Sequence, residues 1–111
     1  MNIGQASKAS GVSAKMIRYY DEIGLVQPSA RTDSNYREYG ERELNELRFI
    51  RRARSLGFSM AEITQLLSLW RDRERPSREV KAIAERHLAG LDARIAEMQA
   101  IAGKLKYALI V

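Results

Sequence analysis

The chain begins with residues 1–24, MNIGQASKASGVSAKMIRYYDEIG, a pattern that predicts two short helices joined by a tight turn. Asn2 and Ser13 favour the N-cap position, where a side-chain oxygen accepts a hydrogen bond from the first turn of a helix. Gly11 lies between the two helices and can adopt the left-handed backbone conformation that such a turn needs. Gly24 ends the second helix. The stretch therefore predicts a helix–turn–helix unit.

Residues 25–40, LVQPSARTDSNYREYG, predict a short hairpin after this unit. Pro28 blocks further helix because its ring fixes φ and removes an N–H donor. Asn35 tolerates the left-handed region, which places the hairpin tip at residues 33–35. Tyr36 and Tyr39 have high strand propensity. Two helices followed by a basic, aromatic hairpin are typical of a small protein that grips a DNA groove and its flanking phosphates.

Two further helices are predicted after the hairpin. Residues 41–55 place apolar side chains on one face, with acidic residues in the first turn and arginines in the last, as the helix dipole favours. Gly57 ends this helix. Ser59 and Glu62 have the spacing of a capping box, which starts the next helix. The apolar positions of that helix are Ile63, Leu66, Leu67 and Trp70.

The rest of the chain, from Arg78 to about Leu109, predicts one long helix with a heptad pattern. Steps of four and three residues separate the apolar positions Ala84, Leu88, Leu91, Ile95, Met98, Ala102, Leu105 and Leu109. A lone helix would leave this seam in water, so we expect it to pair with the same helix of a second chain. The alternative is that the seam packs on its own domain, but the preceding helices are too small to cover it.

Charge favours a polyanionic partner without proving one. The net charge is +5, divided as +3 over residues 1–56 and +2 over residues 57–111, so the excess is not one basic tail. A mildly basic solvated surface would give the same total. Clustering of candidate groups favours DNA: the second helix exposes Lys15, Arg18 and Tyr19, the hairpin carries Arg31, Tyr36 and Arg37, and Arg54 ends the third helix.

Composition excludes several other classes. The sequence has no cysteine, which excludes disulfides and thiolate metal sites within these residues. No apolar run is long enough to span a membrane, and no secretory leader precedes the first helix, so we expect a cytoplasmic protein. No nucleophile turn or glycine-rich phosphate loop occurs, so we expect no enzyme. His87, the only histidine, lies beside the heptad seam and is a poor metal site by itself.

The sequence resembles the MerR family of bacterial transcription activators over essentially its whole length. The resemblance is carried by residues 3–24 with IRYYDEIGL at 17–25, by NYREY at 35–39, by IRRARSLG at 50–57 and by FSMAEI at 58–63. The resemblance is strongest to the copper-responsive branch. It implies a mainly α protein, with a winged helix-turn-helix and a two-helix connector in residues 1–75 and an antiparallel dimerisation helix in residues 76–111.

The resemblance also implies a mechanism and partners. Its DNA contacts map onto Lys15, Arg18, Tyr20, Arg31, Tyr36, Arg37 and Arg54. Family members bind, as homodimers, a promoter whose recognition elements are too far apart for RNA polymerase, and they distort the DNA to realign them. This is readout of DNA deformation.

The same resemblance makes Ser77 a candidate selectivity position, because relatives that sense divalent metals have cysteine there and monovalent-copper sensors have serine. Such sensors hold the metal with two cysteines in a loop that follows the long helix. Cu(I) is therefore expected only where a cysteine-containing segment follows Val111. The alternatives are a metal-blind regulator of the same type and a protein-interaction module that docks through the long helix.

Overall fold

The structure is a computed structural model that describes residues 1–71 and 78–110. The chain divides into two compact units, Met1–Ser68 and Leu69–Val111. The predicted boundary between residues 75 and 76 lies outside the described residues. Across the described parts of both units, no helix combines the length and the apolar character that crossing a membrane requires.

The elements follow the order that the sequence predicts. They are α1 (Ile3–Ser10), α2 (Ala14–Glu22), β1 (Ala30–Arg31), β2 (Arg37–Glu38), α3 (Glu41–Ser55), α4 (Met60–Arg71) and α5 (Arg78–Ile110). The described chain is mainly helical, as expected.

Local hydrogen bonds fix the start of each helix of the N-terminal unit that carries a predicted cap. Asn2 Oδ1 accepts from the Gln5 backbone N–H at 2.8 Å, and Gln5 Oε1 accepts from the Asn2 N–H at 2.9 Å. Ser13 caps α2 by accepting from the Met16 N–H at 3.2 Å. The capping box of Ser59 and Glu62 is present in both directions. The predicted caps are confirmed, and the partner Gln5 turns the first one into a full capping box.

The strands of the hairpin are shorter than the strand propensity of Tyr36 and Tyr39 predicts. Its two strands pair antiparallel over two residues each, with Ala30 opposite Glu38 and Arg31 opposite Arg37. Asn35 has φ 64°, the left-handed conformation predicted for the tip. Tyr36 and Tyr39 both lie outside the strands. Strand propensity therefore did not set the strand ends here, because the Tyr39 N–H donates to the Met1 carbonyl at 2.6 Å and the Tyr36 N–H donates to Thr32 Oγ1 at 3.0 Å.

A single apolar core holds the N-terminal unit together. The buried side chains come from α1, α2, the segments flanking the hairpin, α3 and α4: Ala6, Val12, Ile17, Tyr20, Leu25, Val26, Tyr39, Leu47, Ile50, Ala53, Ile63 and Leu67. Burial of one large apolar side chain contributes about 1.5–3 kcal/mol, so this cluster dominates the stability of the unit. In α4, Leu66 is half-buried and Trp70 is exposed, so only part of its predicted apolar face enters the core.

The C-terminal unit is built on α5, a helix of 33 residues and roughly 50 Å in length. None of its described residues is buried within the chain. Its apolar seam is thus open along the helix.

Candidate nucleic-acid interface

The helix α2 presents different chemistry on its two sides. Lys15, Arg18 and Tyr19 are exposed, whereas Ile17 and Tyr20 are buried in the core. This division follows from the helical period, because residues three and four apart share a face. A helix anchored in this way holds two cations and a phenol on one surface, which is the arrangement that readout of a DNA groove needs.

The structure places Tyr20, which the resemblance predicts as a DNA contact, in the core of the N-terminal unit. Its side chain is only 1% exposed, because the ring fills the core beneath α2. The Tyr20 hydroxyl instead accepts a hydrogen bond from Arg54 Nη1 at 3.2 Å. Tyr20 therefore supports Arg54 from below, and Arg54 keeps an exposed position at the end of α3.

The hairpin is tied to α2 by a carboxylate that the sequence analysis did not single out. Asp21 Oδ2 accepts from Arg37 Nε at 2.6 Å and from Arg31 Nη2 at 2.8 Å. The Asp21 side chain is 6% exposed, while those of Arg31 and Arg37 are 41% and 25% exposed. Both hairpin arginines predicted to contact DNA thus have a structural partner, and the hairpin is held at a defined position beside α2.

Asp21 reduces the charge repulsion between the two arginines of the hairpin. Arg31 and Arg37 are direct partners across the strand pair, and like charges in that arrangement repel. Burial alone would raise the pKa of Asp21, but hydrogen bonds from Arg37 and Arg31 outweigh it and hold that pKa below its usual value. The carboxylate therefore stays ionised and neutralises part of the repulsion.

The helical spacing of Asp21 could have revealed it from the sequence. It follows Ile17 by four residues and Tyr20 by one, so it lies on the buried side of α2. An acid on a buried helix face requires a basic partner. Arg31 and Arg37 were both available, but the helical pattern does not tell which cation reaches it.

The hairpin tip leaves an aromatic side chain projecting from the surface. Tyr36 is 71% exposed. Thr32 fixes its backbone, since Thr32 Oγ1 accepts from the Tyr36 N–H at 3.0 Å and the Thr32 N–H donates to the Tyr36 carbonyl at 2.8 Å. An exposed phenol on a fixed turn can donate to a phosphate with little loss of conformational freedom.

A groove at the start of α2 brings further predicted residues together. We call it the recognition groove; it encloses about 380 Å³ and is lined by Gly11, Val12, Ser13, Met16, Tyr20, Arg51, Arg54 and Ser55. It combines the N-terminal end of α2, where backbone N–H groups favour anions, with two guanidinium groups of α3. This arrangement places Arg54 beside the helix that carries Lys15 and Arg18.

The predicted dimer residues lie along α5. Leu88, Ile95, Met98 and Leu105 are between 47% and 63% exposed, and Leu91 is half-buried. Ala84 and Ala102 are exposed as well. The seam is therefore continuous and available on the surface of the C-terminal unit.

Metal-binding residues are not brought together in the described part of the chain. No group of three or more His, Cys, Asp or Glu side chains within residues 1–71 and 78–110 is arranged to hold a metal ion. Ser77, the candidate selectivity position, lies outside the described residues.

Comparison with known proteins agrees with this geometry. The profile of the MerR HTH family regulatory protein matches residues 1–70, and the profile described as MerR, DNA binding, matches residues 44–107. The chain belongs to the MerR family. The predicted family and the predicted winged helix-turn-helix with a long C-terminal helix are thereby confirmed.

Individual relatives carry the same assignment. Heavy metal-dependent transcription regulator 2 of Rhizobium meliloti is 57% identical over 107 residues, which cover 96% of this chain and 73% of the relative. The HTH-type transcriptional regulator HmrR of Sinorhizobium medicae is 58% identical over the same shares of both chains. A crystal structure of a MerR family regulator from Listeria monocytogenes matches with a TM-score of 0.78 and 34% identity, covering 98% of this chain and 83% of that one.

These MerR relatives are transcription regulators and not enzymes, as the sequence predicts for this chain. The chain is thus a DNA-binding transcription regulator whose relatives include heavy-metal-dependent proteins. The family assignment gives the exposed face of α2, the hairpin and the recognition groove a common ligand class, duplex DNA.

Proposed function

We propose that this MerR-type regulator acts in the cytoplasm as a homodimer that binds a promoter with an overlong spacer and distorts it for bacterial RNA polymerase. The observation that carries the proposal is the ion-paired connection of the hairpin to α2. Because Asp21 binds both Arg31 and Arg37, the exposed side chains of α2 and the hairpin tip keep a fixed separation. A rigid two-point contact can impose a shape on DNA, which a flexible one cannot.

The open seam of α5 supports the dimer. Its large side chains, among them Leu88, Ile95 and Met98, are about half exposed or more within the single chain. If the same seam of a second copy covered them, the apolar side chains of both copies would be buried. The interface would then be two-fold symmetric. Two copies of α2 related by such an axis would match a pseudo-palindromic promoter.

Distortion follows from the energetic cost of bending. Deforming a short duplex costs on the order of 1–6 kcal/mol, and only sequences that deform readily repay it through additional contacts. The dimer would hold the promoter in a bent, untwisted form in which the two polymerase elements face the same side. Activation then requires no contact between the regulator and the reacting groups of the polymerase.

The copper part of the proposal needs residues that this sequence does not contain. Monovalent copper prefers soft sulfur ligands, and the 111 residues include no cysteine. The two cysteines that the resemblance implies for a copper sensor are therefore absent from these residues. We propose that control of copper-homeostasis genes depends on thiolates in a segment following Val111; without them the chain is the metal-blind regulator that the sequence analysis keeps as its alternative.

The promoter experiment uses two templates that differ only in spacer length. One template is a copper-homeostasis promoter with its native spacer, and the other has the excess base pairs removed. We expect the 111-residue chain to bind both in a mobility assay, to bend the native one, and to change transcription by RNA polymerase only there. Equal transcription changes on both templates would refute the distortion mechanism. Absence of salt-sensitive DNA binding at low salt would favour the protein-interaction module instead.

The metal question is answered by the intact mass of the protein from its native cell. The 111-residue chain has a mass of 12.6 kDa. A heavier product with added cysteines, whose transcription response to Cu(I) is lost on cysteine-to-serine substitution, would support copper control. A product of 12.6 kDa would establish the metal-blind regulator.

A further inference from the structure

A second basic groove lies between the end of α1 and α3, outside the predicted DNA-contact residues. This α1–α3 groove encloses about 290 Å³ and is lined by Ala9, Ser10, Arg48, Arg51, Arg52 and Ser55. The α3 residues follow the spacing i, i+3, i+4 and i+7, so they share one face of the helix. Three guanidinium groups thus face one concave surface. Arg48 and Arg52 have no other assigned role.

Packing holds the arginines of this groove over the helix–turn–helix turn. Arg48 Nε donates to the Ala9 carbonyl at 3.4 Å. The Arg51 side chain crosses Gly11 so closely that a Cβ at that position would lie 2.8 Å from Arg51 Nε. Gly11 therefore serves two purposes: it supplies the φ of 77° that the turn needs, and it leaves room for a guanidinium.

The described part of the chain, residues 1–71 and 78–110, supplies no carboxylate that ion-pairs with the arginines of this groove, Arg48, Arg51 and Arg52. By contrast, the arginines of the hairpin share Asp21 and Arg42 pairs with Glu46 at 3.7 Å. A concave surface with three neighbouring, unneutralised guanidinium groups is suited to an oxyanion that accepts several N–H donors.

Continuity with the recognition groove identifies the oxyanion. Arg51 and Ser55 line both grooves, so the α1–α3 groove adjoins the recognition groove at these two side chains. A duplex whose major groove receives α2 carries a phosphate chain past that end. The next anionic group along this path belongs to the same DNA strand.

We propose that the α1–α3 groove binds a backbone phosphate of promoter DNA beyond the base pairs read by α2, with Arg48 and Arg52 as its principal donors. The inference rests on the proposed insertion of α2 into the major groove. It extends the DNA contact of each protomer along α3 and gives this chain a larger electrostatic footprint than α2 and the hairpin provide.

The salt dependence of DNA binding tests the proposal. The logarithm of the affinity falls linearly with the logarithm of the salt concentration, and each phosphate contact adds about 0.9 to the steepness of this slope. At 0.1 M salt, one contact corresponds to roughly an eightfold difference in affinity. For a random-sequence 30-base-pair duplex, the slope measured with the double variant R48A/R52A should be smaller than that of the wild type by at least the amount of one such contact. The variant R48K/R52K keeps both charges and should retain most of the slope.

Arg42→Ala is the matched control, because it removes a cation from the same helix outside both grooves. Its side chain is 74% exposed. Circular dichroism confirms that each variant remains folded. The inference is overturned when R48A/R52A and Arg42→Ala show the same slope, and also when R48A/R52A keeps its DNA affinity but loses transcription, which would assign the groove to the polymerase. A wild-type chain that binds no duplex would instead refute the proposed function.

Neutral phosphates locate the contact on the DNA. A site recovered by the wild-type chain from a random duplex library is remade with single methylphosphonate substitutions at successive positions. The wild type should lose about eightfold in affinity at one position outside the base pairs that Arg18→Ala affects. R48A/R52A should be insensitive at that position and normally sensitive at the others. Equal sensitivity of the two proteins at every position would overturn the assignment.

Discussion

Arg37 Nε lies 2.6 Å from Asp21 Oδ2, and this contact joins the β-hairpin to the helix that carries the exposed basic residues. The same oxygen accepts from Arg31 at 2.8 Å. One buried carboxylate thereby orients two arginines that stand opposite each other in the strand pair. Both arginines, which the sequence predicts as DNA contacts, therefore also have a structural role.

Replacement of Asp21 by Asn should destabilise the N-terminal unit by about 1–3 kcal/mol, because charged hydrogen bonds are lost while two opposing guanidinium groups remain. Urea denaturation at one fixed protein concentration measures the change. Glu22→Gln, on the exposed side of the same helix, is the control and should be close to neutral. The double variant D21N/R37Q should be less destabilised than the two single changes added together, and simple additivity would show that the contact contributes little.

The stability should also depend on pH through Asp21. Its folded-state pKa is lowered from 3.8, so its contribution is fully present above that value and is lost as the pH falls through the folded-state pKa. Between pH 4 and more acidic conditions, the wild type should therefore lose more free energy of unfolding than Asp21→Asn. Parallel urea titrations of both proteins over this range make the comparison. Identical pH profiles would contradict the depressed pKa.

Arg18→Ala should weaken binding to the selected promoter site by about 1–3 kcal/mol and weaken binding to random duplex much less. The reason is that Arg18 lies on the exposed side of α2, where a guanidinium can reach base edges. Fluorescence anisotropy with both duplexes at one salt concentration gives the ratio. An equal loss on the two duplexes would assign Arg18 to the phosphate backbone.

Tyr36→Phe should reduce affinity for all duplexes by a similar factor and leave stability within about 0.5 kcal/mol, because the side chain is 71% exposed at the hairpin tip. Arg37→Ala differs, since it removes the Asp21 contact and should lower both affinity and stability. Anisotropy and urea denaturation on the two variants separate the roles. A stability loss in Tyr36→Phe as large as in Arg37→Ala would contradict this separation.

Ile95→Asp should shift the protein to monomers at micromolar concentration, because the change places a charge in the proposed seam in both copies. The loss of two buried isoleucines amounts to roughly 3–6 kcal/mol. Sedimentation velocity measures the mass in solution. Ala93→Asp adds the same side chain to the same helix away from the seam and should leave the mass unchanged. If Ile95→Asp formed dimers over the same range of protein concentration as the wild type, the seam would not be the dimer interface.

Local signals in the sequence were sufficient for the helices and their ends. The caps at Asn2, Ser13 and Ser59 and the positive φ at Gly11 depend on groups within a few residues of each other, so their chemistry can be recognised along the chain. The basic, aromatic character of the interface and its family were also recognisable, because they depend on residue types and spacing.

Contacts between distant segments required the tertiary structure. Asp21 meets Arg37 sixteen residues away, and Arg54 meets Tyr20 thirty-four residues away. No local period encodes such a pairing, since it depends on how α2, the hairpin and α3 pack around the core. The same packing buried Tyr20 and formed the α1–α3 groove from the end of α1 and the arginines of α3. Residue type and period are properties of the chain, whereas the partner of each charge is a property of the fold.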